Sequence, residues 1–242
     1  MTLTLSNIKK YFGEKLALDI EQYTVNDGEI IGLVGNNGAG KTTMFRAILD
    51  LIKPEEGAVS IDGINPAESE DWKEITGAYV DSGFLIDYLT PEEYFDFIAK
   101  VSNISKEELD ERLKPFAGFM NGEVLGQNTL IRNLSMGNKQ KVGIIAAMIT
   151  RPKLLILDEP FNFLDPTSQL AMKSVIENYN KETGAIVLVS SHNLTHTIDI
   201  CTRVTLLEHG KILMDYDKET HKDVMKEIED YFVGQTPVNV QQ

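Results

Sequence analysis

The chain alternates between short apolar runs and longer amphipathic stretches. Leu3 to Tyr23 has β-like alternation broken at Phe12-Gly13-Glu14, and Asn26-Asp27-Gly28 is a turn signal. Glu29 to Val34 is a short apolar run with two isoleucines and a valine, which predicts a buried strand. A glycine-rich loop follows, and Thr43 to Leu51 then reads as a helix. After a turn at Pro54 to Gly57, Ala58 to Ile61 alternates up to the hairpin-type pair Asp62-Gly63. Thr76 to Val80 is a further short strand.

The texture changes beyond that point. Pro91-Glu92-Glu93 and Ser105-Lys106-Glu107-Glu108 carry acidic residues where a first helical turn favours them. They place a helical insert over about residues 84–142, mostly helical from Thr90 to Val142. Leu154 to Leu157 and Ala185 to Val189 return to buried-strand texture. Arg203 to Glu208 and Lys211 to Asp215 flank His209-Gly210 as a hairpin. Lys218 to Phe232 is charged and amphipathic and predicts one helix, with Gln235 to Gln242 frayed behind it. Buried strands alternating with helices predict a mainly parallel sheet covered by helices. The organisation expected is one α/β domain over 1–216, carrying the helical insert, then a C-terminal helix and tail over 217–242.

Composition narrows the function classes. Of 242 residues, 42% are apolar and 25% charged, the balance of a soluble globular chain. The formal net charge of −14 argues against a broad nucleic-acid-binding face or a basic patch for anionic lipid. The single cysteine, Cys201, suits a reducing compartment. No run approaches the roughly 18 apolar residues of a membrane span, and Met1 to Lys10 lacks the apolar core of a secretory signal. A cytoplasmic location is expected, with any membrane part supplied by another chain.

Candidate chemistry centres on Gly35-Asn36-Asn37-Gly38-Ala39-Gly40-Lys41-Thr42, a full match to G-x-x-x-x-G-K-[ST] between a strand and a helix. A chain that wraps a phosphate must turn its N–H groups inward, and glycine allows both the backbone angles and the close approach. The following helix points its positive end at the same phosphate. Lys41 adds a cation for the β- and γ-phosphates, and the Thr42 hydroxyl can ligate Mg²⁺. Asp158, at the end of the Leu154–Leu157 strand, is the candidate partner carboxylate of the metal, and Glu159 can polarise an attacking water.

Further motifs extend the pattern. Leu134-Ser135-Met136-Gly137-Asn138-Lys139-Gln140 resembles the signature of ABC ATPases, and Asn162-Phe163-Leu164-Asp165-Pro166 resembles their D-loop. Ser190-Ser191-His192 resembles their switch histidine, and Tyr11 in Lys9-Lys10-Tyr11-Phe12-Gly13 their adenine-stacking aromatic. From about Thr2 to Ile212 the chain resembles ATP-binding subunits of bacterial ABC transporters, the exporter-like branch. That resemblance implies a P-loop NTPase core with an N-terminal antiparallel β subdomain and an inserted helical subdomain. It implies two copies facing head to tail, each ATP held between Gly35–Thr43 of one and Ser135–Gly137 of the other. Glu159 is then the catalytic base and His192 the γ-phosphate sensor. Tyr11, Thr43 and Asp165 join the nucleotide contacts, with Mg²⁺ as cofactor and an integral membrane permease as partner. A soluble ABC ATPase, such as one serving cluster assembly, is the alternative.

Three positions depart from the family pattern. Asp81 stands where the family usually has Gln beside the metal, Met136 replaces the first signature glycine, and Phe163 replaces a D-loop glycine. A carboxylate is a harder metal ligand than an amide, so Asp81 is expected to contact Mg²⁺ and make the site more dependent on it. Aromatic residues from Phe84 to Leu89, with Tyr94, Phe95 and Phe97, are where a permease would dock in this family.

Overall fold

The computed structural model describes residues 1–192, 194–221 and 223–235. Two sheets share one sandwich. Strands β1 (Thr2–Phe12) and β2 (Lys15–Asn26) form the hairpin expected around Gly13, and β4 (Glu56–Ile61) pairs with the other edge of β1. The larger sheet has the order β5-β6-β7-β3-β8-β9. It comprises β5 (Thr76–Tyr79), β6 (Leu154–Leu157), β7 (Ile186–Ser191), β3 (Ile30–Val34), β8 (Arg203–Glu208) and β9 (Lys211–Asp217). All neighbours are parallel except β8 and β9, the predicted hairpin.

The apolar runs work as a double-sided core. Along β6, Leu155 and Leu157 join one apolar layer while Leu154 and Ile156 join the other. Val187 and Val189 of β7 divide from Ile186 and Leu188 in the same way. Period-two geometry sends successive side chains to opposite faces, so a strand covered on both sides must be apolar throughout. One face packs on α1 (Lys41–Ile48) and the antiparallel sheet, through Phe45, Ile48 and Leu5. The other packs on α5 (Met136–Met148), α6 (Pro166–Thr183) and the helical lobe.

The lobe contains α2 (Pro91–Val101), α3 (Lys106–Leu113) and α4 (Ala117–Met120). Helix α2 begins at Thr90 with a capping box to Glu93, and α3 at Ser105, whose hydroxyl accepts from the Glu108 N–H. Helix α5 runs past Val142 to Met148, beyond the insert boundary read from sequence, because its later turns form the cover of β5. Helix α7 (Leu194–Ile200) follows β7. The single helix expected from Lys218 is shorter at its start. The Asp217 carboxylate accepts from the N–H groups of Glu219 and Thr220 and turns the chain, so α8 begins at Val224 and ends at Gln235. Val224 and Ile228 of α8 insert into the same core as α6. The tail expected to fray lies, beyond Gln235, outside the described residues.

Candidate active site

Parallel pairing brings the C-terminal ends of four strands to one edge of the sheet. Val34 is in register with Ser191 and with Leu206, and Leu157 with Val189. The residues that follow these positions are Gly35, His192, Leu207, Asp158 and Ser190, so the site follows from strand order.

The phosphate loop is shaped by close approach. A Cβ on Gly35 would stand 2.2 Å from the Leu207 carbonyl oxygen, so the start of the loop can press on β8 only without a side chain. Gly40, the residue before α1, has φ of 115°, a left-handed conformation that turns the chain into the helix. Lys41 is buried, and its Nζ donates to Gly35 O at 2.7 Å and lies 3.6 Å from Glu159 Oε1. Asn36 is exposed and donates to Glu208 at 3.4 Å.

Asp158 is the buried hub. Its Oδ2 accepts from Thr42 Oγ1 at 2.6 Å and its Oδ1 from Ser190 Oγ. Burial pushes its pKa up, partly opposed by these two hydroxyls. A buried carboxylate flanked by hydroxyls, beside a phosphate loop, is an all-oxygen donor set. It fits Mg²⁺, which is held by one or two carboxylates together with substrate phosphates. Among the described residues no cluster of three His, Cys, Asp or Glu forms a metal cage without the nucleotide.

Glu159 adopts φ of 50°, a left-handed conformation costing on the order of 1 kcal/mol for a residue with a Cβ. Its backbone is fixed from three directions. Its N–H donates to Ser190 Oγ at 2.8 Å, and its carbonyl accepts from Gln140 Nε2 at 3.1 Å and from the Asn162 N–H at 3.2 Å. Its carboxylate, thereby aimed into the site, contacts Lys41 and accepts at Oε2 from His192 Nδ1 at 2.8 Å. Ser190 and Gln140 are thus positioning residues. Both lay unremarked within motifs, and Ser190 becomes visible only when β7 is placed beside β6.

A cleft of about 370 Å³ opens over the loop, lined by Asn37 to Thr43, Glu159 and Gly210 on one side and by Phe12 and Lys15 to Ala17 on the other. The aromatic that faces it is Phe12, 54% exposed, and not Tyr11. Tyr11, the aromatic expected to stack on adenine, is not among the cleft's lining residues, and the pairing register beside it shifts by one residue, Ala17 of β2. The Tyr11 backbone N–H donates to Glu55 Oε2 at 2.7 Å. Phe12→Ala is therefore expected to weaken binding of a fluorescent ATP analogue about tenfold, the scale of one stacking contact. Tyr11→Ala should change it less than about twofold; the reverse ranking would restore Tyr11.

Other candidates lie apart from this cleft. The Asp81 carboxylate accepts from the Gly83 N–H at 2.8 Å and caps a single 3₁₀ turn. Asp165 caps α6 through the Ser168 N–H at 3.0 Å, and its bonds to Ser168 hold its pKa below the usual carboxylate range. Ser135 caps α5, its hydroxyl accepting from the Asn138 N–H at 3.2 Å. A Cβ on Gly137 would stand 2.6 Å from the Phe163 carbonyl, so the signature and D-loop touch through backbone.

The model of the ABC transporter domain matches residues 18–162, more than half of the chain. The chain belongs to the ABC transporter family. It is 35% identical over 230 residues to the ABC transporter ATP-binding protein YdbJ of Bacillus subtilis, covering 93% of this chain and 73% of that one. It is 30% identical over 226 residues to the methionine import ATP-binding protein MetN of Clostridioides difficile, covering 90% and 69%. A dimeric structure of the ATP-binding cassette MJ0796 in a post-hydrolysis state with ADP and Pi superposes with a TM-score of 0.77 and 26% identity, covering 89% and 98%. As an ABC ATPase, this chain binds and hydrolyses ATP.

Proposed function

We propose that this ABC ATPase powers a separate integral membrane permease from the inner face of the cell membrane. The observation that carries the reading is a second groove, of about 380 Å³, at the joint between β5, α5 and the helical lobe. Its walls include Leu51, Tyr79, Phe84, Tyr94 and Ile98, and Phe84 is 62% exposed. Two of its lining residues, Trp72 and Thr76, have buried side-chain polar atoms, Nε1 and Oγ1, without a hydrogen-bond partner among the described residues. An apolar docking segment suits a groove walled by these side chains. No described helix is long and apolar enough to cross a membrane, and the proposal places the membrane part in a permease.

Two copies close on two ATP in this proposal. Ser135 to Gly137 do not line the chain's own cleft, so they would complete the site of the other copy. Thr42 and Asp158 would hold Mg²⁺, with Asp81 as a third donor on releasing the Gly83 N–H. When bound, the metal neutralises charge on the triphosphate. Glu159 takes a proton from the attacking water and His192 reports the γ-phosphate, with Lys41 and Thr43 on the phosphates and Asp165 near the second copy's nucleotide. Export is the direction we propose, following the resemblance of the motifs to the exporter-like branch.

Purification of the tagged chain from solubilised membranes is expected to recover an integral membrane protein. Phe84→Asp should lose it while phosphate release by the isolated chain persists. Recovery of no membrane protein with the unmodified chain would overturn the permease reading.

A further inference from the structure

Two exposed apolar side chains flank the backbone contact between signature and D-loop. Phe163 is 68% exposed and Met136 47% exposed. Both stand where the family pattern has glycine. The Phe163 carbonyl lies against Gly137, within 2.6 Å of where a Cβ would be, so the two residues border one patch of surface. Phe163 also holds φ of 60°, a left-handed conformation that glycine adopts freely and an aromatic residue does not. A ring two-thirds exposed gains little packing inside its own chain, so neither burial nor backbone geometry of the single copy favours Phe here.

We infer that Phe163 and Met136 form an apolar clamp against a second copy of this chain when two copies close on ATP. The inference rests on the two-copy reading above: Ser135 to Gly137 must face the other copy's nucleotide, and Phe163 touches Gly137. Charge favours the same chemistry. Each copy carries a formal −14, so two copies repel at long range, and a desolvated apolar contact supplies attraction that this repulsion leaves intact. In a two-fold assembly each side chain acts twice.

The test uses the full chain in a Glu159→Gln background, with ATP and Mg²⁺, and reads the dimer dissociation constant by sedimentation velocity. Glu159→Gln alone is expected to dimerise. Adding Phe163→Gly should weaken the dimer about a hundredfold, because burying one such side chain is worth at least about tenfold and two are lost, and Met136→Ala should weaken it by a smaller factor. Phe163→Leu should restore most of the affinity. Binding of a fluorescent ATP analogue to the monomer should stay within about twofold. The melting temperature without nucleotide should not fall, since glycine relieves the left-handed backbone. An unchanged dimer constant in both variants overturns the clamp while leaving the two-copy reading standing. A weaker dimer with a lower melting temperature shows that the ring packs internally and also overturns it. Failure of Glu159→Gln itself to dimerise overturns the two-copy reading and the clamp with it. A photo-cross-linking residue at position 163 that captures the permease in membranes, and not a second copy, overturns the choice of occupant.

Discussion

Glu159→Gln is expected to lower phosphate release at least about a hundredfold, the smaller end of what a positioned general base contributes. The substitution is nearly isosteric, and its backbone supports from Ser190, Gln140 and Asn162 do not involve the side chain. The left-handed turn at 159 and the position of the side chain should therefore persist. An amide cannot take the proton of an attacking water. It also removes the charge that lies 3.6 Å from Lys41 Nζ and that would sit beside the triphosphate. Nucleotide binding should therefore be retained or become tighter, read by titration with a fluorescent ATP analogue. Phosphate release at the unmodified rate would remove Glu159 from the role proposed for it.

Gly77→Ala is expected to be strongly destabilising. Its Cβ would lie 2.1 Å from the Ala147 carbonyl oxygen and 2.8 Å from Pro152 Cγ. Backbone stands on both sides of the shorter contact, so no side-chain rotation relieves it. The opposite surface is built the same way, since a Cβ on Gly143 would stand 2.3 Å from the Tyr79 ring. Strand β5 and helix α5 thus meet through two glycines. Overpacking there should cost about 3 kcal/mol, lowering the melting temperature on the order of 10 °C for a chain of this size. Helix α5 is capped by Ser135 and carries Gln140, which holds Glu159, so phosphate release should fall with stability. Gly118→Ala is the matched control, with no atom within 4 Å of its added carbon, and should leave melting unchanged or slightly raised. A Gly77→Ala protein that melts like the Gly118→Ala control would show that β5 and α5 can part cheaply.

The sequence by itself determined the phosphate loop, the acid pair at 158 and 159, the strand order of chemistry along the chain and the helix starts at Thr90 and Ser105. These features depend on local rules: glycine where the backbone must turn, a cap before a helix, an unbroken apolar run for a strand covered on both faces. Phe12 was not singled out because neighbouring aromatics on one strand face opposite sides, and only the fold shows which side the cleft is on. Ser190 and Gln140 escaped it because their partners, Asp158 and Glu159, lie 32 and 19 residues away along the chain and meet them only through sheet order and helix packing. The second carboxylate at position 81 was legible as chemistry, but its hold on the Gly83 N–H is a matter of local geometry that the residue type does not fix. What only the tertiary structure decided is how the pieces share space: four strand ends at one edge, two loops pressed together at Gly137 and Phe163, and a groove between sheet and lobe. Contacts between distant segments depend on which faces are buried against one another, and one chain's pattern of apolar positions specifies those faces without specifying their neighbours.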